Sequence, residues 1–221
     1  MNLGQIEEGV YQIPIQLADS LEPQRLFFQE SILAAQRRLR KFAQKYYWQD
    51  HTKEPFASKF LVFADKASFD RNLLEVCELD TTIELPATYC AAIEQGILMA
   101  VSPELYRSIY PDGDEENAYE KLLTHEIAHR LHIRILNGDE DAMGDVWFYE
   151  GFALYAAGQF EKNAPSLTGE EIWVIVKDPD RGSYRRYASV FQYFVKKAPI
   201  QKLVEMANKD NFLDWLQKIS K

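Results

Sequence analysis

A His-Glu-x-x-His sequence at residues 125–129 combines two imidazoles and a carboxylate at the spacing of a metal site. In a helix, His125 and His129 lie one turn apart on the same face, so both rings can reach one cation. Glu126 projects beside them, where a carboxylate can take a proton from water. Such a short string also fits a surface helix with solvated histidines. A metal site therefore requires a third ligand from elsewhere in the chain.

Glu150 is the candidate third ligand. Two histidines bind a catalytic zinc ion together with one further protein ligand, which leaves a position open for water. Glu150 lies in a Trp-x-x-Glu-Gly-x-Ala-x-Tyr pattern at residues 147–155. The stretch between His129 and Glu150 has room for a helix end, a turn and a returning helix. An exposed helical carboxylate is the alternative for Glu150 taken alone.

The two motifs together resemble the gluzincin metallopeptidases, the clan that includes thermolysin and the membrane alanyl aminopeptidases. The resemblance is closest to the compact "peptidase MA-like" members and covers roughly residues 85–195. It implies that His125, His129 and Glu150 bind Zn²⁺ and that Glu126 is the general base. It also implies a zinc-dependent metallopeptidase that hydrolyses peptide bonds in a peptide or protein substrate.

A further resemblance lies at residues 184–194. In the aminopeptidase branch, a tyrosine that opens a helix hydrogen-bonds the oxyanion of the reaction, and the match gives this role to Tyr184. Tyr187 stands where that branch has a small residue, and it is the second candidate for the same role.

The expected substrate strand is Ile97–Val101, because the resemblance implies an edge strand above the metal on which an extended peptide could pair. Aminopeptidases of the clan hold the substrate amine with a Gly-x-Met-Glu-Asn segment. Residues 96–101 lack its Glu-Asn pair, so the sequence does not support an N-terminal exopeptidase. Cleavage within peptides or of small peptides remains the expectation.

Other residues of interest have structural interpretations. His132 nearly eclipses His125 on the predicted helix, and we expect it to be structural or to contact a metal ligand from behind. Asp145 could orient a ligand imidazole, although its spacing does not distinguish it from Asp139 or Asp141. The two cysteines are expected to be reduced, buried thiols.

Composition limits the possible partners and location. The 221 residues predict one domain, 1–221, with a helix and β-rich lobe at 1–116 and a helical lobe at 117–221. A formal charge of −9 disfavours nucleic acid and anionic membranes as partners. No apolar run approaches about 20 residues, and the first eight residues do not resemble a signal peptide, so we expect a cytoplasmic protein. The sequence makes no prediction of oligomeric state.

The predicted fold class is α+β and zincin-like, with a small antiparallel or mixed sheet, an active-site helix and a mainly helical C-terminal half. Asn163–Ser183 is predicted to be the least regular stretch, able to act as a mobile flap. The predicted strands are Val10–Ile15, Lys59–Ala64, Ala87–Ile93 and Ile97–Val101. The predicted helices are Pro23–Tyr47, one from Ser68, Ala118–Leu136, Val146–Ala157, Tyr184–Lys197, Ile200–Asn208 and Asn211–Ile219.

Two other function classes fit parts of the pattern. One is a catalytically silent, zincin-like metal-binding or regulatory module, suggested by the small size of the chain, although an intact Glu126 argues against a retired enzyme. The other is a non-heme iron oxygenase with two histidines and one carboxylate. Such triads typically lie on β-barrel strands, whereas the residues here are predicted to be helical.

Overall fold

A computed structural model describes residues 4–221 of the protein. It contains helices and a small mixed sheet, which confirms the predicted α+β class. The strands are β1 Gln5–Glu7, β2 Val10–Tyr11, β3 Ile15–Leu17, β4 Lys59–Phe63, β5 Ala91–Glu94 and β6 Ile97–Val101. The helices are α1 Arg25–Lys45, α2 Lys66–Val76, α3 Pro103–Ile109, α4 Ala118–Ile135, α5 Val146–Ala157, α6 Gly169–Val176, α7 Tyr184–Val195, α8 Ile200–Met206 and α9 Phe212–Ser220.

The main sheet has the strand order β3-β4-β6-β5, while β1 and β2 form a separate antiparallel pair. Strands β3, β4 and β6 run parallel, and β5 pairs antiparallel with β6 through a turn at Gln95 and Gly96. Both turn residues have positive φ, as a type I′ hairpin turn requires. The β5–β6 hairpin is therefore confirmed, although its first strand begins at Ala91 rather than Ala87.

The prediction that Ile97–Val101 forms the sheet edge is wrong. This strand, β6, lies between β4 and β5, so both of its sides are paired. Its last four residues are buried, as is typical of a strand covered on both faces. The edge on this side of the sheet is β5, which contacts α4.

Helix α1 packs against α4, α5 and β3. Phe28, Ile32, Ala35 and Leu39 repeat on its buried face, as predicted. It begins at Arg25, after a 3₁₀ turn, rather than at Pro23. The helix thus forms a long support behind the two helices that carry the His-Glu-x-x-His and Glu150 motifs.

Helices α4, α5 and α7 pack in sequence, α4 on α5 and α5 on α7. Helix α4 ends one residue before its predicted end, next to the predicted stop, where Asn137 and Gly138 adopt positive φ and the Gly138 N–H donates to the carbonyl of Ile133 at 2.9 Å. A short connection then returns the chain as α5. This reversal brings the beginning of α5 back along the second half of α4.

Two helices were missed by the sequence prediction. The stretch predicted to be least regular contains α6, which begins with a capping box between Thr168 and Glu171 and buries Ile172, Ile175 and Val176. Helix α3 follows Ser102, whose side chain accepts a hydrogen bond from the Leu105 N–H at 3.3 Å. Both helices are short, so their apolar periodicity was too brief to detect.

One cluster of buried side chains extends from Ile13 to Leu216 and includes residues of the sheet and of the C-terminal helices. Neither cysteine forms a disulfide, as predicted; Cys90 is buried within the cluster, whereas Cys77 is only half-buried against it. Among the residues described, no helix combines the length and apolar character needed to cross a bilayer.

Candidate metal centre

His125, His129 and Glu150 meet where α4 and α5 pack together. The Nε2 atoms of the two histidines are 3.1 Å apart, and Glu150 Oε2 lies 3.1 Å from His125 Nε2 and 3.8 Å from His129 Nε2. The site is largely withdrawn from solvent, with His125 exposed by 6% and Glu150 by 3%. The structure therefore brings together the three predicted ligands as a group that could hold a metal ion.

The electrostatics favour the ligand forms of two of these residues. Burial alone would raise the pKa of Glu150, but the hydrogen bond with His125 and the charges of His129 and Arg181 lower it to about 2. Burial lowers the pKa of His129 to about 4, against the opposing charge of Glu150. An ionised carboxylate and a neutral imidazole are the forms that bind metal ions.

Glu126 lies next to this group, partly buried, and lines the same cavity. Burial raises the pKa of Glu126 to about 7, against the opposing effect of His125. Glu94 of β5 lines the same cavity, so Glu126 on α4 and the edge strand border one space. A carboxylate in this position can accept a proton from a molecule bound between α4 and β5.

The structure separates the two tyrosine candidates. The Tyr184 ring lies 5.8 Å from the His125 ring, centroid to centroid, and lines the cavity. Tyr187 is buried, and its hydroxyl donates to the Asp180 carbonyl and accepts from the Gly182 N–H. Tyr187 therefore holds the backbone before α7, and of these two tyrosines Tyr184 is the one beside the candidate ligands.

Arg181 is a site residue that the sequence analysis missed. Its Nη1 donates to Glu150 Oε1 at 2.5 Å and to the Tyr184 hydroxyl at 2.8 Å. Glu150 thus presents one oxygen to the histidines and the other to Arg181. Arg181 lies in the irregular segment before α7, where no motif or periodicity distinguishes it from neighbouring charged residues.

Gln159 is the second residue that was missed. It follows Gly158, whose positive φ ends α5, and its side chain is buried beside His125. His125 Nδ1 and Gln159 Oε1 are both buried without a hydrogen bond of good geometry. Burial would lower the pKa of His125, but the hydrogen bond and charge of Glu150 raise it, with a smaller contribution from Gln159. An amide oxygen here can accept a hydrogen bond from Nδ1–H, which leaves the lone pair of Nε2 free for a metal ion.

His132 and Asp145 do not join the group. His132 is fully buried and stacks on Phe152, with ring centroids 4.3 Å apart, and both of its ring nitrogens lack a partner among residues 4–221. Asp145 is exposed at the beginning of α5. His132 is thus a core residue, and Asp145 is not placed to orient either ligand imidazole.

The ligands open into a cavity of about 730 Å³. Strand β5 borders this cavity, and its register with β6 directs the N–H and C=O groups of Ala91 and Ile93 to the unpaired edge. At Ala92 and Glu94, the N–H and C=O groups point to the other side of β5 and pair with β6. An extended chain lying in the cavity could therefore pair with the outer edge of β5.

Comparisons of this chain with family models, curated proteins and solved structures found no match. The similarity to the gluzincins therefore rests on the two motifs and stays a prediction.

Proposed function

We propose that this chain is a zinc-dependent metallopeptidase of the gluzincin type. The observation that supports this proposal most directly is the convergence of His125, His129 and Glu150 in a cavity that Glu126 and an unpaired strand edge also border. Each of these features has a separate use in peptide hydrolysis. A metal site without catalysis would need neither Glu126 nor the free edge of β5.

The spacing of the three ligand atoms fits zinc. Zinc bonds of about 2.0–2.1 Å in a tetrahedral site place neighbouring ligand atoms about 3.3 Å apart. The separations of 3.1, 3.1 and 3.8 Å lie around this value, so a zinc ion would require only small movements of the side chains. When bound, zinc supplies Lewis acidity that lowers the pKa of a water molecule and polarises a carbonyl.

Glu126 is proposed as the general base. Its carboxylate takes one proton from the attacking water, whose oxygen adds to the scissile carbonyl carbon. As the C–N bond breaks, the protons of the water pass to the leaving amine by way of Glu126. General acid–base catalysis of this kind contributes typically about 10²–10⁴-fold to the rate.

Tyr184 is proposed to stabilise the oxyanion. Its hydroxyl oxygen accepts a hydrogen bond from Arg181, which leaves its own proton free to donate into the cavity. A preorganised donor facing the site of developing negative charge lowers the barrier. We further propose that the substrate binds as an added strand on β5, through the backbone groups of Ala91 and Ile93.

The test begins with metal analysis of the purified protein after incubation with Zn²⁺ or with Fe²⁺. Peptide-library cleavage is then compared between wild type, Glu126→Gln and the control Glu140→Gln. Glu140 is an exposed carboxylate at the rim of the same cavity, paired with Arg130. We expect stoichiometric zinc in all three proteins, with cleavage reduced about 10²–10⁴-fold only in Glu126→Gln.

Other outcomes would contradict parts of the proposal. Failure to bind zinc would exclude the centre itself. Zinc binding with no cleavage by any of the proteins would favour the silent metal-binding module. A preference for Fe²⁺, with oxygen consumption, would favour the oxygenase class instead.

A further inference from the structure

The Arg181 guanidinium is fixed by three different parts of the chain. On α5, Glu150 accepts from Nη1 and the Tyr149 hydroxyl accepts from Nη2 at 3.2 Å. On α7, the Tyr184 hydroxyl also accepts from Nη1. The ring of Tyr89, just before β5, lies 5.7 Å from the guanidinium carbon. This arrangement positions the cation at the metal ligands instead of leaving it free in solvent.

Two donors of this guanidinium remain available to a ligand. Arginine has five N–H donors, and the bonds to Glu150, Tyr184 and Tyr149 use three of them. Among the interactions of residues 4–221, Nε–H and one Nη2–H have no acceptor. The side chain is 37% exposed and lines the cavity. Such donors suit a carboxylate, which arginine binds in a bidentate manner.

The net charge of the centre with a cation bound also favours the binding of an anion. Glu126 and Glu150 with Arg181 carry one net negative charge when both carboxylates are ionised, and a divalent cation changes this to one net positive charge. Arg181 has no ion pair with a carboxylate other than Glu150 among the described residues. A single carboxylate on the substrate would neutralise the loaded centre.

The distance from Arg181 to the ligands limits where that carboxylate can lie. Only the carboxylate group of Glu150 separates the guanidinium from the oxygen that faces the histidines. One extended residue spans at most about 3.6 Å. A carboxylate on the residue next to the scissile bond is therefore within reach of Arg181.

We infer that Arg181 binds a substrate carboxylate carried by the residue that follows the scissile bond. The carboxylate is the C-terminal α-carboxylate of a short peptide or the side chain of an Asp or Glu residue at that position. This inference rests on the proposed peptidase function, and it narrows the substrates to peptides with an acidic group at the cleavage site.

A binding experiment tests this inference without turnover. The zinc-loaded Glu126→Gln protein is titrated calorimetrically with three probes: N-acetyl-Ala-Phe as free acid, the same peptide as C-terminal amide, and N-acetyl-Ala-Asp amide. The titrations are repeated after adding Arg181→Gln, Arg181→Lys or the control Arg130→Gln. Arg130 is a second guanidinium that lines the cavity, and it pairs with Glu140.

With Arg181 intact, we expect the free acid, the Asp amide or both to bind about tenfold or more tightly than the Phe amide, the effect of one charge-assisted contact. Tighter binding of the free acid identifies the α-carboxylate, and tighter binding of the Asp amide identifies the side chain. Arg181→Gln should abolish the preference, Arg181→Lys should retain part of it, and Arg130→Gln should leave it unchanged. Zinc content and circular dichroism verify that each variant is folded and loaded.

Equal binding of the three probes, no binding, or a preference that survives Arg181→Gln would overturn the inference. The proposed function can fail separately. If wild type binds the free acid through Arg181 but hydrolyses none of the library, the carboxylate site stands and the peptidase proposal does not.

Discussion

Gly151, the residue after Glu150, allows α5 and α7 to pack closely. A Cβ added at Gly151 would lie 2.8 Å from Phe191 Cβ and 2.9 Å from Phe191 Cδ2. Contacts between carbon atoms are normally about 3.5–4.0 Å. Phe191 is fully buried on α7, and one of the two atoms is the first atom of its side chain. Gly151→Ala must therefore move α7 relative to α5.

Two opposing effects set the size of the change. Overpacking a core typically costs about 1–3 kcal/mol, and the short distances place this substitution in the upper part of that range. Replacing glycine with alanine inside a helix by itself stabilises the folded state by about 0.5–1 kcal/mol. We expect a net loss of about 1–2 kcal/mol in the free energy of unfolding. For a chain of this size, that loss corresponds to a Tm lower by about 2–8 °C.

Urea unfolding monitored by circular dichroism measures this loss as a lower midpoint at unchanged slope. Gly169→Ala is the matched control, because Gly169 is also helical and a Cβ there would meet no atom within 4 Å. The control should be unchanged or stabilised by up to about 1 kcal/mol. If Gly151→Ala were as stable as the control, the close approach of α5 and α7 would not explain the glycine.

Three further sets of substitutions test other parts of the structure. Tyr184→Phe should lower kcat by about 10²–10³ with little change in stability, whereas Tyr187→Phe should leave kcat nearly unchanged and cost about 1 kcal/mol in urea unfolding; the reverse result would contradict the assignment. Burial lowers the pKa of His132 to about 3, so the unfolded chain binds more protons below pH 6.5 and wild type loses stability there. As the pH falls from 6.5 to 5, the free energy of unfolding of His132→Leu, measured in urea, should therefore decrease by about 2 kcal/mol less than that of wild type. An identical pH dependence of the two proteins would contradict this prediction. Arg134 donates to the carbonyls of residues 51, 54 and 55 at 3.0, 2.8 and 2.5 Å. Arg134→Ala should therefore lower the free energy of unfolding by about 2–3 kcal/mol and speed hydrogen exchange in residues 51–56. A loss of unfolding free energy below about 0.5 kcal/mol would contradict this prediction.

Local sequence patterns predicted the helices that carry the candidate metal ligands. The boundaries of α5 agree with the prediction, and α4 ends one residue early, at the Asn137-Gly138 stop. These patterns act within a few residues, through helical periodicity and through the conformational freedom of glycine and asparagine. The spacing of His125 and His129 follows from one turn of helix. The sequence was therefore sufficient to place these two imidazoles side by side.

The edge of the sheet could not be obtained in this way. Strand β6 was predicted at its observed position, but its pairing with β4 joins segments far apart in the chain. A continuous apolar strand can lie at an edge or inside a sheet, and only the partner decides which. The same limit applies to Tyr184 and Tyr187, which lie on one helix and differ in what surrounds them.

The sequence by itself determined the types of chemical group, their local spacing and the helices that hold them. Tertiary structure decided that Glu150 reaches the histidines, that β5 borders the cavity and that Arg181 contacts Glu150. These contacts depend on how distant segments pack, and their energies come from burial and charge pairing that no single segment contains.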